Sequence, residues 1–392
     1  FAEYFVNVLA PDKDLGTLYW TWTIGLSSLV AALLSPILGS ISDQSQRSKY
    51  WLILSTLIYS FIAFSFWFAQ PKGMDLFLII FLLFIGNISY EISQIFYNGQ
   101  LKLITTENNY AKLSGFAWGL GYAGTVIIFI IYYGIFLLPE DPIFTLDKTT
   151  YENIRISFPI TGAWILIFSL PLFISFKDPK SDTITSKFNI KKSFNQIIIT
   201  FKDLRKYKNI IWFLIARLFY MDGINAIFAV AAIYAATVFG MSTTDIIMLG
   251  IGTNFAAGIG SWVFSFIENK IGSKNIIVFS LICIFIISFA ILLINQKNTF
   301  IILAICLSTF FGPIQSASRV YFAKFIPDEK KYEFFGFYSF SGKVTSFIGP
   351  ILFGTISYTF SSPKLGMASL LVLFAVGLLI LTKVENDRRI EK

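Results

Sequence analysis

The chain has 392 residues, of which 55% are hydrophobic and only 14% charged, with a mean hydropathy of +0.69, which leaves too little polar surface for a soluble globule and implies a multi-pass membrane protein. The formal charge of +8 rests on 31 basic against 23 acidic residues, but the basic ones gather in short connections between apolar runs, a topology signal that argues against a nucleic-acid partner. Histidine is absent and the two cysteines, Cys283 and Cys306, lie within apolar runs, so the sequence offers no nucleophile–base–orienter set with histidine, no metal site, no disulfide framework and no reason to expect a cofactor.

Taken in chain order, the first apolar stretch, up to Ala10, is shorter than the about 20 helical residues that cross a bilayer. It is expected to be the end of a first span that begins upstream. Runs of spanning length follow at 16–41, 51–70, 75–101, 113–138, 157–176, 209–239, 243–267, 275–296, 299–325, 334–359 and 363–383, making twelve spans in all. A lysine-rich connection at 177–208 divides them into an N-terminal six-helix bundle, 1–176, and a C-terminal six-helix bundle with a short tail, 209–392. Apolar patches in that linker, around Phe188 and at 197–201, suit an interfacial amphipathic helix. The linker, the tail and the loops on their side carry 22 Lys and Arg against six on the other side, so the linker and both termini are expected to be cytoplasmic.

Three basic residues, Arg217, Arg319 and Lys343, are left inside spans, together with the acids Glu91 and Asp222. A charge at mid-membrane costs about 2.5–3.5 kcal/mol on insertion scales, so each is expected to face a cavity, a partner or a ligand. Spans three, six, nine and twelve have uncharged interiors, as befits lipid-side supports around a central path. Arg217 and Asp222 are five residues apart, about 140° around a helix, and do not naturally pair. Gly223, directly after Asp222, marks a place where span seven is expected to unwind toward the path.

An ungapped offset of 221 residues relates the two halves. It sets Gln94–Asn98 above Gln315–Arg319, Ser114-Gly115-Phe116 above Phe335-Gly336-Phe337, and Tyr122 above Lys343. The loop after span two, Gly39-Ser-Ile-Ser-Asp43-Gln-Ser-Gln-Arg47, resembles the Gly-x-x-x-Asp-x-x-x-Arg signature of the major facilitator superfamily. Gly39 permits close helix approach and Asp43 is suited to cap a neighbouring helix start. A degenerate copy, Ser265 to Lys274, places Asn269 where an Asp is expected, followed by Lys270 and Gly272, so a second latch would be weaker or depend on Glu268. Gly119-Leu-Gly121-Tyr-Ala-Gly124 imitates a dinucleotide fingerprint without the preceding strand, and Gly336 to Lys343 imitates a phosphate loop with the wrong spacing.

Ile95–Gly99, Leu113–Gly124, Tyr220–Asn225, Ala231–Tyr234, Pro313–Arg319, Glu333–Lys343 and Gly349-Pro350 together resemble the vacuole-effluxer-like branch of the major facilitator superfamily, in order over most of the chain. The resemblance implies an all-α membrane protein with twelve helices in two pseudo-symmetric bundles, alternating access and, for eukaryotic relatives, amino-acid export from the vacuole. The reading is a monomeric secondary active transporter in a bacterial inner membrane. It moves a small carboxylate-bearing or zwitterionic solute and is driven by a proton or cation gradient. Arg217, Arg319 and Lys343 are the expected anion contacts, with Gln315, Asn225, Asn98 and Tyr97 as hydrogen-bond partners. Glu91 and Asp222 are the expected coupling sites, and Gly39, Asp43, Arg47, Asn269, Lys270 and Gly272 the expected gating residues. The rivals are export of amphipathic drugs or lipids on the same scaffold, and a non-transporting membrane receptor.

Overall fold

The computed structural model describes residues 1–71, 73–137, 146, 147, 149–178, 198–200 and 206–387. The interfacial helix expected around Phe188, most of the linker and the last five residues lie outside the described residues.

In a bilayer every backbone polar group must find its partner within its own segment, so the apolar runs become helices. They are α1 (Ala2–Tyr4, continued by a π-turn at Phe5–Leu9), α2 (Lys13–Ser45), α3 (Ser48–Ser65), α4 (Leu76–Gly99), α5 (Tyr110–Tyr132), α6 (Ser157–Ser175), α7 (Lys208–Phe239), α8 (Thr243–Ile271) and α9 (Ser273–Leu293). Span ten comprises α10 (Lys297–Ser308) and α11 (Phe311–Phe325), span eleven α12 (Lys331–Lys343) and α13 (Ile348–Thr359), and span twelve α14 (Pro363–Leu381). Among the described residues ten helical stretches are long and apolar enough to cross a membrane. Span eleven is missing from that number because its helices, of 13 and 12 residues, are separated by the stretch 344–347.

The interruptions have a local cause. A proline lacks an N–H, and its ring clashes with the carbonyl four residues earlier. Pro313 and Pro350 disfavour regular helix at Thr309 and Ser346, and the breaks fall at Thr309–Phe310 and Val344–Phe347, whereas α2 and α6 continue through Pro36 and Pro171. Pro313 and Pro350 each sit in the first turn of the helix that follows the break. Gly223 behaves otherwise than expected: α7 runs unbroken through it, with the Phe374 ring of α14 packed against the place a side chain would fill. With every backbone N–H still present, a single glycine weakens the helix but does not break it.

The described residues form two compact units, one of 1–99, 129–198 and 329–340, the other of 100–128, 199–328 and 341–392. In the first, spans two and four, three and four, and three and six pack together. In the second the same pairs recur six places on: eight with ten, nine with ten, and nine with twelve. The α1 stub is built into the first unit, where Tyr4 donates to the Ala69 carbonyl at 2.6 Å and Phe1 stacks on Phe66. Large exposed apolar side chains such as Phe61, Phe77 and Leu379 are as expected where the solvent is lipid.

Candidate functional site

The first turn of a helix leaves N–H groups without intrahelical acceptors. In the first unit Asp43 supplies acceptors to the start of α12, taking the N–H of Tyr332 at 3.1 Å and of Glu333 at 2.8 Å. Acceptor oxygens are favourable at that end of the helix. Gly39 lies one turn earlier, where any side chain would strike the Tyr332 carbonyl. Arg47 is exposed, and its neighbour Ser48 makes the contact instead. The Tyr332 hydroxyl donates to Ser48 Oγ at 2.8 Å, and Ser48 Oγ donates to Asp178 Oδ1 at 2.5 Å. Asp178 also accepts the Lys49 N–H at 3.1 Å and so caps α3.

The second unit holds a counterpart. Asn269 donates from Nδ2 to the Asn108 carbonyl at 2.6 Å, just before α5, while Glu268 is buried and Lys270 exposed. Gly272 makes the turn from α8 into α9 at φ +90°, a conformation that favours glycine. Asp387 caps α9 by accepting the Ser273 and Lys274 N–H groups at 2.8 and 3.2 Å, and it pairs with Lys324 at 3.2 Å. The repeated glycines serve one purpose in both units. A side chain at Gly336 would strike Pro36 and Ser35 of α2, and one at Gly115 would strike Ser261 and Ser265 of α8.

The break in span eleven organises the charges of α7. It leaves orphan carbonyls at the end of α12 and orphan N–H groups at the start of α13. Asn225, a donor, reaches the Gly342 carbonyl at 3.2 Å, and Asp222, an acceptor, takes the Gly349 N–H at 3.4 Å. Arg217, 7% exposed, donates from Nη1 to Ser341 Oγ at 2.9 Å. Its guanidinium lies so close to Gly342 that a Cβ there would stand 2.7 Å from Nη1. Lys343, the next residue, is half-buried and ends α12. Arg217 thus rests on the last turn of α12, the helix that Lys343 ends.

The third expected cation, Arg319, is buried on α11 and donates to both oxygens of Ser114 on α5, from Nε to Oγ at 3.0 Å and from Nη2 to the carbonyl at 3.2 Å. One turn away Gln315 donates to the Tyr122 hydroxyl at 2.9 Å. In the first unit Glu91 is 4% exposed on α4, Asn98 is half-buried and Tyr97 is exposed. The sequence reading missed Ser48, Asp178, Tyr332, Ser114, Ser341 and Asp387. The capping aspartates did carry a signal, since each closely follows the last helix of its half, but they are 209 residues apart, outside the register of 221.

The sequence model of the family described as "Vacuole effluxer Atg22 like" matches residues 16–392, and the chain belongs to that family. An uncharacterized MFS-type transporter, YxiO, of Bacillus subtilis (strain 168) is 28% identical over 387 residues, covering 95% of this chain and 85% of that protein. Autophagy-related protein 22 of Cryptococcus neoformans is 26% identical over 289 residues, 69% of this chain and 53% of that protein, so the match spans about half of the fungal relative. Of solved structures, the major facilitator superfamily transporter FucP in the outward conformation is matched with a TM-score of 0.74, at 15% identity, over 93% of this chain and 90% of that one. The proton:xylose symporter XylE is matched with a TM-score of 0.75, at 11% identity, over 98% and 91%. The fold is that of the major facilitator superfamily. The chain is a multi-pass membrane transporter of this type, and its relatives are transporters, not enzymes.

Proposed function

We propose, from that membership and from the charges in the spans, that the chain is a monomeric secondary transporter for a small solute with a carboxylate or zwitterionic head, cycling by alternating access of its two six-helix halves. The observation that carries this reading is the buried guanidinium of Arg217, which rests against Gly342 and donates to the Ser341 hydroxyl on the last turn of α12. A cation within a membrane span carries an insertion cost that an anionic group beside it would offset. Gly342 allows this packing, because a Cβ there would stand 2.7 Å from Nη1 of the guanidinium. Arg319 and Gln315 support the α5–α11 side of the path; Asn98 and Tyr97 are the hydrogen-bonding groups of the first half.

The test is equilibrium binding of amino acids, short peptides and organic anions to purified protein. Arg217→Gln and Lys343→Gln should each weaken the best anionic ligand by about 2–5 kcal/mol if the pair is desolvated. Wild-type affinity in both variants for every transported anion or zwitterion would refute the assignment. Coupling falls to Glu91 and Asp222, buried carboxylates within spans. Glu91→Gln and Asp222→Asn should abolish uptake driven by a pH gradient while sparing solute exchange. The Asp222→Asn change retains an acceptor for Gly349, so a loss there would not be a folding effect. Accumulation against a gradient in both variants would acquit the two carboxylates. With the linker and tail cytoplasmic and a bacterial inner membrane as its site, the Asp43 and Asn269 latches close the cytoplasmic end.

A further inference from the structure

A groove runs along the contact of α5 and α8 in the second unit. Its outer part, about 400 Å³, starts at Thr105 and Asn109, just before α5, and at Lys112 in the first turn of α5, and extends to Phe116 and Trp262. The same two rings open an inner part of about 200 Å³, bounded by Leu120 and Ala123 of α5 and by Phe255 and Ile259 of α8. The helix backbones form the floor. A Cβ at Gly119 would stand 3.3 Å from the Gly258 carbonyl, and one at Gly258 would stand 3.2 Å from Tyr122 Cβ.

Ordinary lipid-facing packing explains the apolar walls, since Phe116, Leu120, Phe255 and Trp262 are each half-exposed, as on any helix in a bilayer. It does not explain the gradient of polarity. Thr105, Asn109, Lys112 and Ser265 all belong to the outer part, whereas the inner part has no polar group but the Trp262 indole. Ser265 Oγ returns to the Trp262 carbonyl at 2.6 Å, so the polar end consists of Thr105, Asn109 and the exposed ammonium of Lys112. No acidic residue lines either part.

The depth agrees with the polarity. Lys112 immediately precedes the apolar run 113–138, and from Lys112 to Ala123 α5 rises about 16 Å at 1.5 Å per residue. Half of a hydrocarbon core of about 30 Å is about 15 Å. A groove with a cation at the membrane surface and an apolar end at mid-bilayer is complementary in charge, polarity and depth to one phospholipid of one leaflet. A two-fold dimer through the same face would set Lys112 against its own copy at the same depth.

We propose that the α5–α8 groove binds one anionic phospholipid from the bilayer, with its headgroup at Lys112 and Asn109 and one acyl chain over Gly119 and Gly258. Lys112 supplies the preference for net negative charge; the inner part supplies affinity common to diacyl lipids. The site does not depend on what Arg217 binds.

The test uses the full chain, delipidated in detergent and titrated with phosphatidylglycerol or phosphatidylcholine of identical acyl chains, with bound lipid read by native mass spectrometry. One phosphatidylglycerol should bind about fivefold more tightly than phosphatidylcholine. Lys112→Gln should weaken phosphatidylglycerol about fivefold, the worth of one lysine near an anionic lipid, and leave phosphatidylcholine unchanged. Lys112→Arg should keep the preference. Lys208→Gln, at an exposed lysine that starts α7 and does not line the groove, should change neither lipid. Ala123→Trp, which fills the inner part, should weaken both. In nanodiscs, phosphatidylglycerol with a photoreactive acyl chain should label the peptide covering 255–262, a result that stands even if the Trp variant fails to fold. Equal affinity of the two lipids for the wild type, equal phosphatidylglycerol affinity in wild type and Lys112→Gln, label spread evenly onto other exposed faces such as those of Phe61 and Leu379, or a dimer that Ala123→Trp separates would overturn the proposal.

Discussion

Asn225 and Asp222 differ only in an amide against a carboxylate, and that difference decides which end of a broken helix each one serves. The amide meets the Gly342 carbonyl and the carboxylate meets the Gly349 N–H. Exchanging donor for acceptor should therefore be worse than deletion. Asn225→Ala should cost about 0.5–1.5 kcal/mol, one net hydrogen bond. Asn225→Asp should cost more, because it sets an acceptor against an acceptor inside the membrane. Thermal unfolding in one detergent would order the three proteins, and an Asp variant as stable as the Ala variant would remove the bracketing role. The spacing of Arg217 and Asp222 could be read as non-pairing from helix geometry alone. Their partners could not, since Ser341 and Gly349 lie on another helix with no periodic link to α7.

Two prolines mark the helix breaks, although α2 and α6 run through Pro36 and Pro171. Spans ten and eleven break four residues before Pro313 and Pro350, whereas α7 passes unbroken through Gly223. An interior proline costs a helix about 3 kcal/mol or more. Pro350→Ala should accordingly let α12 and α13 fuse across Val344–Phe347. The amides of that stretch now make short-range bonds such as Ser346 N–H to the Lys343 carbonyl and Ile348 N–H to the Thr345 carbonyl. Hydrogen exchange read by mass spectrometry should slow in the peptide covering 344–347, and exchange as fast as wild type would show that something besides the proline holds the break.

Across the whole molecule, the packing respects the duplication while regrouping the segments. Spans pair in the same order in each unit, yet residues 100–128 join the second unit and 329–340 the first. The glycines Gly115 and Gly336, aligned by the 221-residue offset, each receive the backbone or side chains of a helix from the other half of the sequence. Orientation is a separate, electrostatic matter. The 22-to-6 distribution of basic residues predicts that protease cuts the 177–208 linker in inside-out vesicles and spares it in right-side-out ones. The opposite result would reverse the topology.

The sequence by itself determined the helices, their order, the duplication and the identities of the five intramembrane charges, because a bilayer forces each span to satisfy its own backbone and makes hydropathy a direct record of the spans. The break sites were not read from it: the expected unwinding at Gly223 does not occur, and the breaks lie before Pro313 and Pro350 instead. Only the tertiary structure decided what the charges touch and which distant residue closes each helix end. Asp178 caps a helix 130 residues away and Asp387 one 114 residues away. Such contacts depend on where separate helices come to rest against one another, and no periodicity along a single segment encodes that.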